Sequence, residues 1–195
     1  MPLGLQTDST AETMDPRIRR SRHMLMEALA KLLTQKSFDD ISIQEIAAEA
    51  TLNRATFYLH YPDKGALLQA MTAARFGELI ARRGLSFTDC DNALRAIALG
   101  VCDYLAETAG CPGQLAKMPL EGSVIPVVAD MFRKGAADHA MAPGGDPELL
   151  ATTAAWAVFG AARHWFQTPD RIPAEEMAAK IETMVKSVFL SSSVS

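Results

Sequence analysis

Residues 43–68 read IQEIAAEATLNRATFYLHYPDKGALL, with a serine before them at position 42. Ser42 and Glu45 stand three apart in front of apolar Ile46 and Ala47. At that spacing a serine hydroxyl caps a helix while the glutamate reaches back to the cap's own N–H. The helix so opened is short, with Ile43, Ile46, Ala47 and Ala50 facing inward. Thr51-Leu52-Asn53 interrupts it, and Asn53 is placed to cap a second short helix from Arg54 to about His60. Pro62 stops that helix, and Asp63 caps a long one that starts at Lys64 and runs to about Arg83. Two short capped helices joined by three residues have the layout of a helix-turn-helix, the second helix being the one that enters a DNA groove.

Upstream, Asp15-Pro16 is a helix start, an N-cap followed by proline at the first helical position. Ile18, Leu25, Leu29, Leu32 and Leu33 form one apolar stripe, and this helix should end near Lys36. Residues 1–14 are polar and aperiodic and are expected to be a disordered tail. Downstream, helices are expected over roughly 91–108, 121–140, 147–168 and 174–190, with a short piece near 113–118 and loops at 110–113 and 143–145. Sustained strand alternation and internal repeats are missing, so the fold class is all-α. The expected layout is a helix-turn-helix domain over 15–62, a connecting helix over 63–83, and a helical bundle over 84–191 for effector binding and dimerisation.

The 195 residues are 49% hydrophobic and 22% charged, as in ordinary globular chains. No apolar run is long enough for a membrane span, and no secretory leader is evident. Cys90, Cys102 and Cys111 cannot all pair and match no zinc spacing, which fits a reducing cytoplasm. Among them Cys111, in a Gly/Pro loop, would be the most accessible. His139 and His164 have no carboxylate or cysteine at ligand spacing and are taken as structural, so no metal and no cofactor is expected. A net charge of −4 argues against DNA until it is resolved along the chain. Residues 15–64 hold 8 basic and 7 acidic side chains, and Arg17, Arg19, Arg20 and Arg22 crowd into six positions. A local basic field of this kind attracts phosphate although the whole molecule repels it.

The second short helix carries the recognition chemistry. Arg54 at its N-terminal end can bind guanine bidentately. Tyr58 and, on an adjacent row, His60 project from the same side, while Phe57 and Tyr61 pack back on the bundle. Thr56, Tyr58 and Lys64 offer donors to phosphate, and Lys64 also begins a helix whose free N–H groups favour an anion. The string Thr56-Phe57-Tyr58, His60-Tyr61, Pro62-Asp63-Lys64 and Leu67 resembles the DNA-binding domain of the tetracycline-repressor family over about residues 15–80. The resemblance implies that Gln44, Arg54, Tyr58 and His60 meet bases or nearby backbone, and that Thr56 and Lys64 meet phosphate. Two positions depart from the family pattern. Thr51 stands where glycine is usual, so the turn is expected to do without an easy positive φ. Gly65 replaces a frequent acidic residue.

In the C-terminal half, residues 147–167 read PELLATTAAWAVFGAARHWFQ. The last helix repeats Met177, Ile181, Met184, Val185, Val188 and Phe189 at three- and four-residue spacing. Two consecutive helices with broad apolar faces suit a dimer-forming four-helix bundle. Tyr104, Met118, Met131, Phe132, Met141 and Trp156 supply adaptable apolar material for a cavity, and the resemblance implies an effector site here. The expected partners are operator DNA in duplex form, a small apolar or amphipathic effector and a second copy of the chain, with no membrane. The expected function is that of a transcriptional repressor released by its effector. An activator or constitutive regulator is the alternative. An all-α enzyme is a further one, disfavoured because phosphate-binding loops, nucleophile elbows and metalloprotease motifs are all missing.

Overall fold

The computed structural model describes residues 15–85, 90–110, 118–137 and 146–190. The expected tail over 1–14, most of the short piece near 113–118, and Cys111, His139 and Met141 lie outside them. Within the described residues every long element is helical. In chain order these are α1 (Pro16–Leu33), a 3₁₀ turn (Phe38–Asp40), α2 (Ile43–Glu49), α3 (Arg54–His60), α4 (Lys64–Arg82), α5 (Cys90–Gly110), α6 (Leu120–Ala137), α7 (Pro147–Gln167) and α8 (Ala174–Leu190).

Each of the first four helices begins at a side-chain cap that the local sequence dictates. Asp15 accepts from the Arg17 N–H at 2.9 Å ahead of Pro16. At α2 the Glu45 N–H donates to the Ser42 hydroxyl at 3.2 Å, and the Ser42 N–H donates to the Glu45 carboxylate at 2.9 Å. Asn53 caps α3 by accepting from the Thr56 N–H at 2.7 Å, and Asp63 caps α4 through the Ala66 N–H at 2.8 Å. Such caps fill the donors that a helix start leaves empty, each contributing about 1 kcal/mol. Two sequence expectations for α1 need correction. It stops at Leu33, short of Lys36, and Ile18 is exposed, because its first turn lies beyond the reach of the core.

The turn after α2 is also a correction. Thr51 takes a φ of +56°, so the chain keeps the left-handed conformation and a threonine bears it. The Leu52 N–H reaches the Ala47 carbonyl at 2.8 Å and the Thr51 N–H reaches the Ala48 carbonyl at 3.0 Å. This is the paired-bond ending in which glycine normally holds the left-handed place. The end of α4 uses the same bonds with Gly84 at +66° in that place.

Two apolar cores result. Leu25, Leu29 and Leu33 of α1 enclose Ile46, Phe57, Tyr61, Leu67 and Leu68. Phe76 and Leu79 join a second core built from α5 to α8. The division between cores therefore falls inside α4, between Leu68 and Phe76. The second half of α4 is held to its neighbours by charge. Arg83 grips Asp103 of α5 through two bonds of 2.6 Å and also pairs with Glu175 of α8. Arg75 reaches Glu107 of α5.

Candidate nucleic-acid interface and ligand cavity

Phe57 is fully buried and Tyr61 nearly so, fixing α3 within the first core (the head, formed by α1 to α3 and the first half of α4) while Arg54, Ala55, Tyr58 and Leu59 face outward. The Arg54 guanidinium donates to the Tyr58 hydroxyl at 3.1 Å and lies 5.5 Å from the centre of its ring. This pair one helical turn apart holds the arginine in an orientation that leaves further N–H groups for a base edge. Gln44 is exposed in the first turn of α2. His60 is half-buried; burial first, then the positive charge of Arg22, holds its imidazole below the ordinary 6.5. Arg22 itself donates to the Tyr61 hydroxyl at 3.1 Å, with its guanidinium 5.3 Å from that ring. Arg17, Arg19 and Arg20 are exposed at the start of α1, with no ion pair among the described residues.

Two of the expected phosphate donors have other occupations. The Thr56 hydroxyl turns back on the Asn53 cap at 2.9 Å. Lys64 is a correction: its ammonium donates to the carbonyls of Phe38, Asp39 and Ile41 at 2.9, 3.0 and 2.9 Å, over the Phe38 ring. An ammonium has three protons, and all three are satisfied inside the protein. Lys64 thus ties the 3₁₀ turn to the start of α4 and so sets where α2 begins. Glu45 of the capping box pairs with Lys36. That contact, followed by the Ser42 N–H and hydroxyl, holds its carboxyl down at about 2.

In the C-terminal domain a cavity of about 530 Å³ lies between α5, α6 and α7. Leu105, Leu120, Phe159 and Phe166 make apolar walls, and Glu121 and Arg163 form an ion pair on its rim. Of the residues expected there, Met118 lines it and also packs in the head's core. Tyr104 is buried beside Phe76 with its hydroxyl 3.3 Å from that of Thr72, while Met131 and Phe132 pack against the second core. Trp156 needs correction. The inner side of α7 is filled by Ala151, Ala155, Val158, Phe159 and Ala162, which leaves Trp156 on the outside at 52% exposure. Sequence reasoning missed Glu121 and Arg163, which become neighbours only when α6 packs on α7. Cys102 is buried, and burial pushes its thiol up to about 12, so this sulfur is an inert part of the core. Among the described residues no group of three or more His, Cys, Asp or Glu is placed to hold a metal, and no helix is long and apolar enough to cross a membrane.

Comparison with known proteins shows what this geometry is similar to. Residues 25–71 match the model for the N-terminal domain of bacterial regulatory proteins of the tetR family. Two proteins of Bacillus subtilis (strain 168), the uncharacterized HTH-type transcriptional regulators YxbF and YuxN, are similar. They are 28% identical over 121 residues and 35% identical over 54, which is 62% and 28% of this chain. The matched parts span only 32% and 19% of those two proteins. A TetR-family regulator from Streptomyces coelicolor A3 shares the fold with a TM-score of 0.61. The match is 15% identical and covers 88% of this chain and 96% of that one. Residues 25–71 are thus similar to the N-terminal domain of tetR-family bacterial regulatory proteins, and the chain as a whole shares the fold of a solved member.

Proposed function

We propose that this protein is a dimeric transcriptional regulator that reads duplex DNA with α3 and is released from its operator by a small amphipathic ligand held in the C-terminal cavity. The observation that carries the DNA reading is the outward face of α3, where Arg54 is held over Tyr58 at the end of a rigidly packed helix. Gln44 and His60 flank that face as further base or backbone contacts, and the arginines at the start of α1 supply phosphate contacts. The Thr56 hydroxyl can reach phosphate only by leaving its cap. Dimerisation is supported by three large apolar side chains left exposed on α7 and α8. Leu149 and Trp156 of α7 are two helical turns apart on one face, and Met184 of α8 is also exposed. Two-fold pairing there would present two copies of α3 to half-sites about 34–36 Å apart.

Coupling between ligand and DNA binding is supported by the position of Met118. It lines the cavity on one side and sits in the head's core on the other, so filling the cavity disturbs the element that carries α3. A tenfold loss of operator affinity needs only about 1.4 kcal/mol of such coupling. Selection of bound duplexes from a random pool tests the reading, with affinity then measured across salt concentrations. A recurring two-fold symmetric site bound more tightly than random duplex is expected. Recovery of no preferred sequence, with equal affinity for every duplex, would overturn it.

A further inference from the structure

The outward side of α3 carries two parallel rows. One is polar, Arg54 with Tyr58 four residues on. The other is apolar, Ala55 with Leu59 four residues on. Leu59 is 81% exposed, the highest value among the large exposed apolar side chains of the described residues, and it packs against neither core. Of the others, Leu149, Trp156 and Met184 gather on α7 and α8, Ile18 lies in the first turn of α1, and Tyr58 is occupied by Arg54. A bare leucine in the last turn of α3, beside the hydrogen-bonding row of Arg54 and Tyr58, packs in neither core. Its chemistry matches one feature of the major groove, the 5-methyl group of thymine, which an apolar side chain can cover and which hydrogen-bonding groups ignore.

Resting on the reading of α3 as the recognition helix, we propose that Leu59, supported by Ala55, is a specificity-determining residue that covers the 5-methyl group of a thymine in each half-site.

The test uses the full chain and a duplex enriched by it from a random pool. Each thymine is replaced in turn by uracil, which removes the methyl and leaves the hydrogen-bonding edge intact. Affinity is measured for the unaltered protein and for Leu59→Ala. One thymine per half-site should lose about fourfold on replacement, the effect of withdrawing one apolar carbon from cover. The Leu59→Ala protein should bind thymine and uracil duplexes alike. Because Leu59 is exposed, this variant is expected to melt where the parent does. Equal binding of thymine and uracil by the parent chain, or the same penalty in both proteins, overturns the assignment while leaving the DNA reading intact. Failure to enrich any sequence overturns both. A further arm places 5-methylcytosine at the enriched cytosines. Unchanged affinity is expected, and a gain abolished by Leu59→Ala would give the methyl to a modified cytosine and overturn thymine as its source.

Discussion

Thr51 closes the turn of the reading head in a conformation that suits it poorly, and replacing it with glycine should make the protein more stable. A φ of +56° crowds the side chain of an L-residue against the following carbonyl, at a cost of about 1–2 kcal/mol. Glycine removes that strain but loses about 0.4–1 kcal/mol through the greater freedom of its unfolded chain. Thr51 is exposed, so little packing is lost with its side chain. The net gain for Thr51→Gly lies between about 0 and 1.6 kcal/mol, centred on about 0.8, which for a chain of this size raises the melting temperature by roughly 2–3 °C at the centre of that range. The reciprocal change is available in the same molecule. Gly84 holds the equivalent place at the end of α4, and a Cβ built on it meets nothing within 4 Å. Gly84→Ala therefore introduces backbone strain without a clash, partly offset by the smaller freedom of its unfolded chain, and should lower the melting temperature by a similar amount. Thermal unfolding followed by far-UV circular dichroism measures both. A fall for Thr51→Gly alongside the expected fall for Gly84→Ala would refute the argument that Thr51 is strained.

Lys64→Met should shift the urea midpoint downward by the equivalent of about 2–3 kcal/mol, because three carbonyls lose a charged donor. An unmoved midpoint with a flatter salt dependence of DNA binding would return Lys64 to phosphate. Glu45 has a folded value of about 2 against an ordinary 4.5, so its stabilising contribution is complete above pH 4.5 and lost as pH falls from 4.5 toward 2. Glu45→Gln should flatten the acid limb of the stability curve over that window, and an unchanged limb would contradict the pairing with Lys36. If the proposed dimer forms through α7 and α8, Trp156→Glu should convert it to a helical monomer of about 21 kDa in sedimentation, and persistence of a dimer would move the interface elsewhere.

What the sequence disclosed, and what it hid, follows from distance along the chain. The caps at Asp15, Ser42, Asn53 and Asp63 were legible because a cap is a contract between residues two or three apart. The buried pair Phe57 and Tyr61 was legible from helical spacing, and the family string from its motif. Lys64 was misread because its acceptors lie 23 to 26 residues upstream, on a turn whose path no local pattern reveals. Trp156 was misread because composition says that a tryptophan is apolar but not which side of an alanine-rich helix becomes the inside. The joint service of Met118 in the cavity and in the head's core depends on how α6 meets the head, which is tertiary from the outset. Leu59 was visible as an apolar residue on α3, but its significance came only with its exposure.

The central claim is that α3 reads base sequence through Arg54. Its most direct test is equilibrium binding of the parent chain and of Arg54→Ala to an enriched duplex and to a random one at the same salt concentration. The account predicts a loss of about 1–3 kcal/mol per contacted half-site on the enriched duplex and almost none on the random one. Equal losses on both duplexes, or no loss on either, would contradict it.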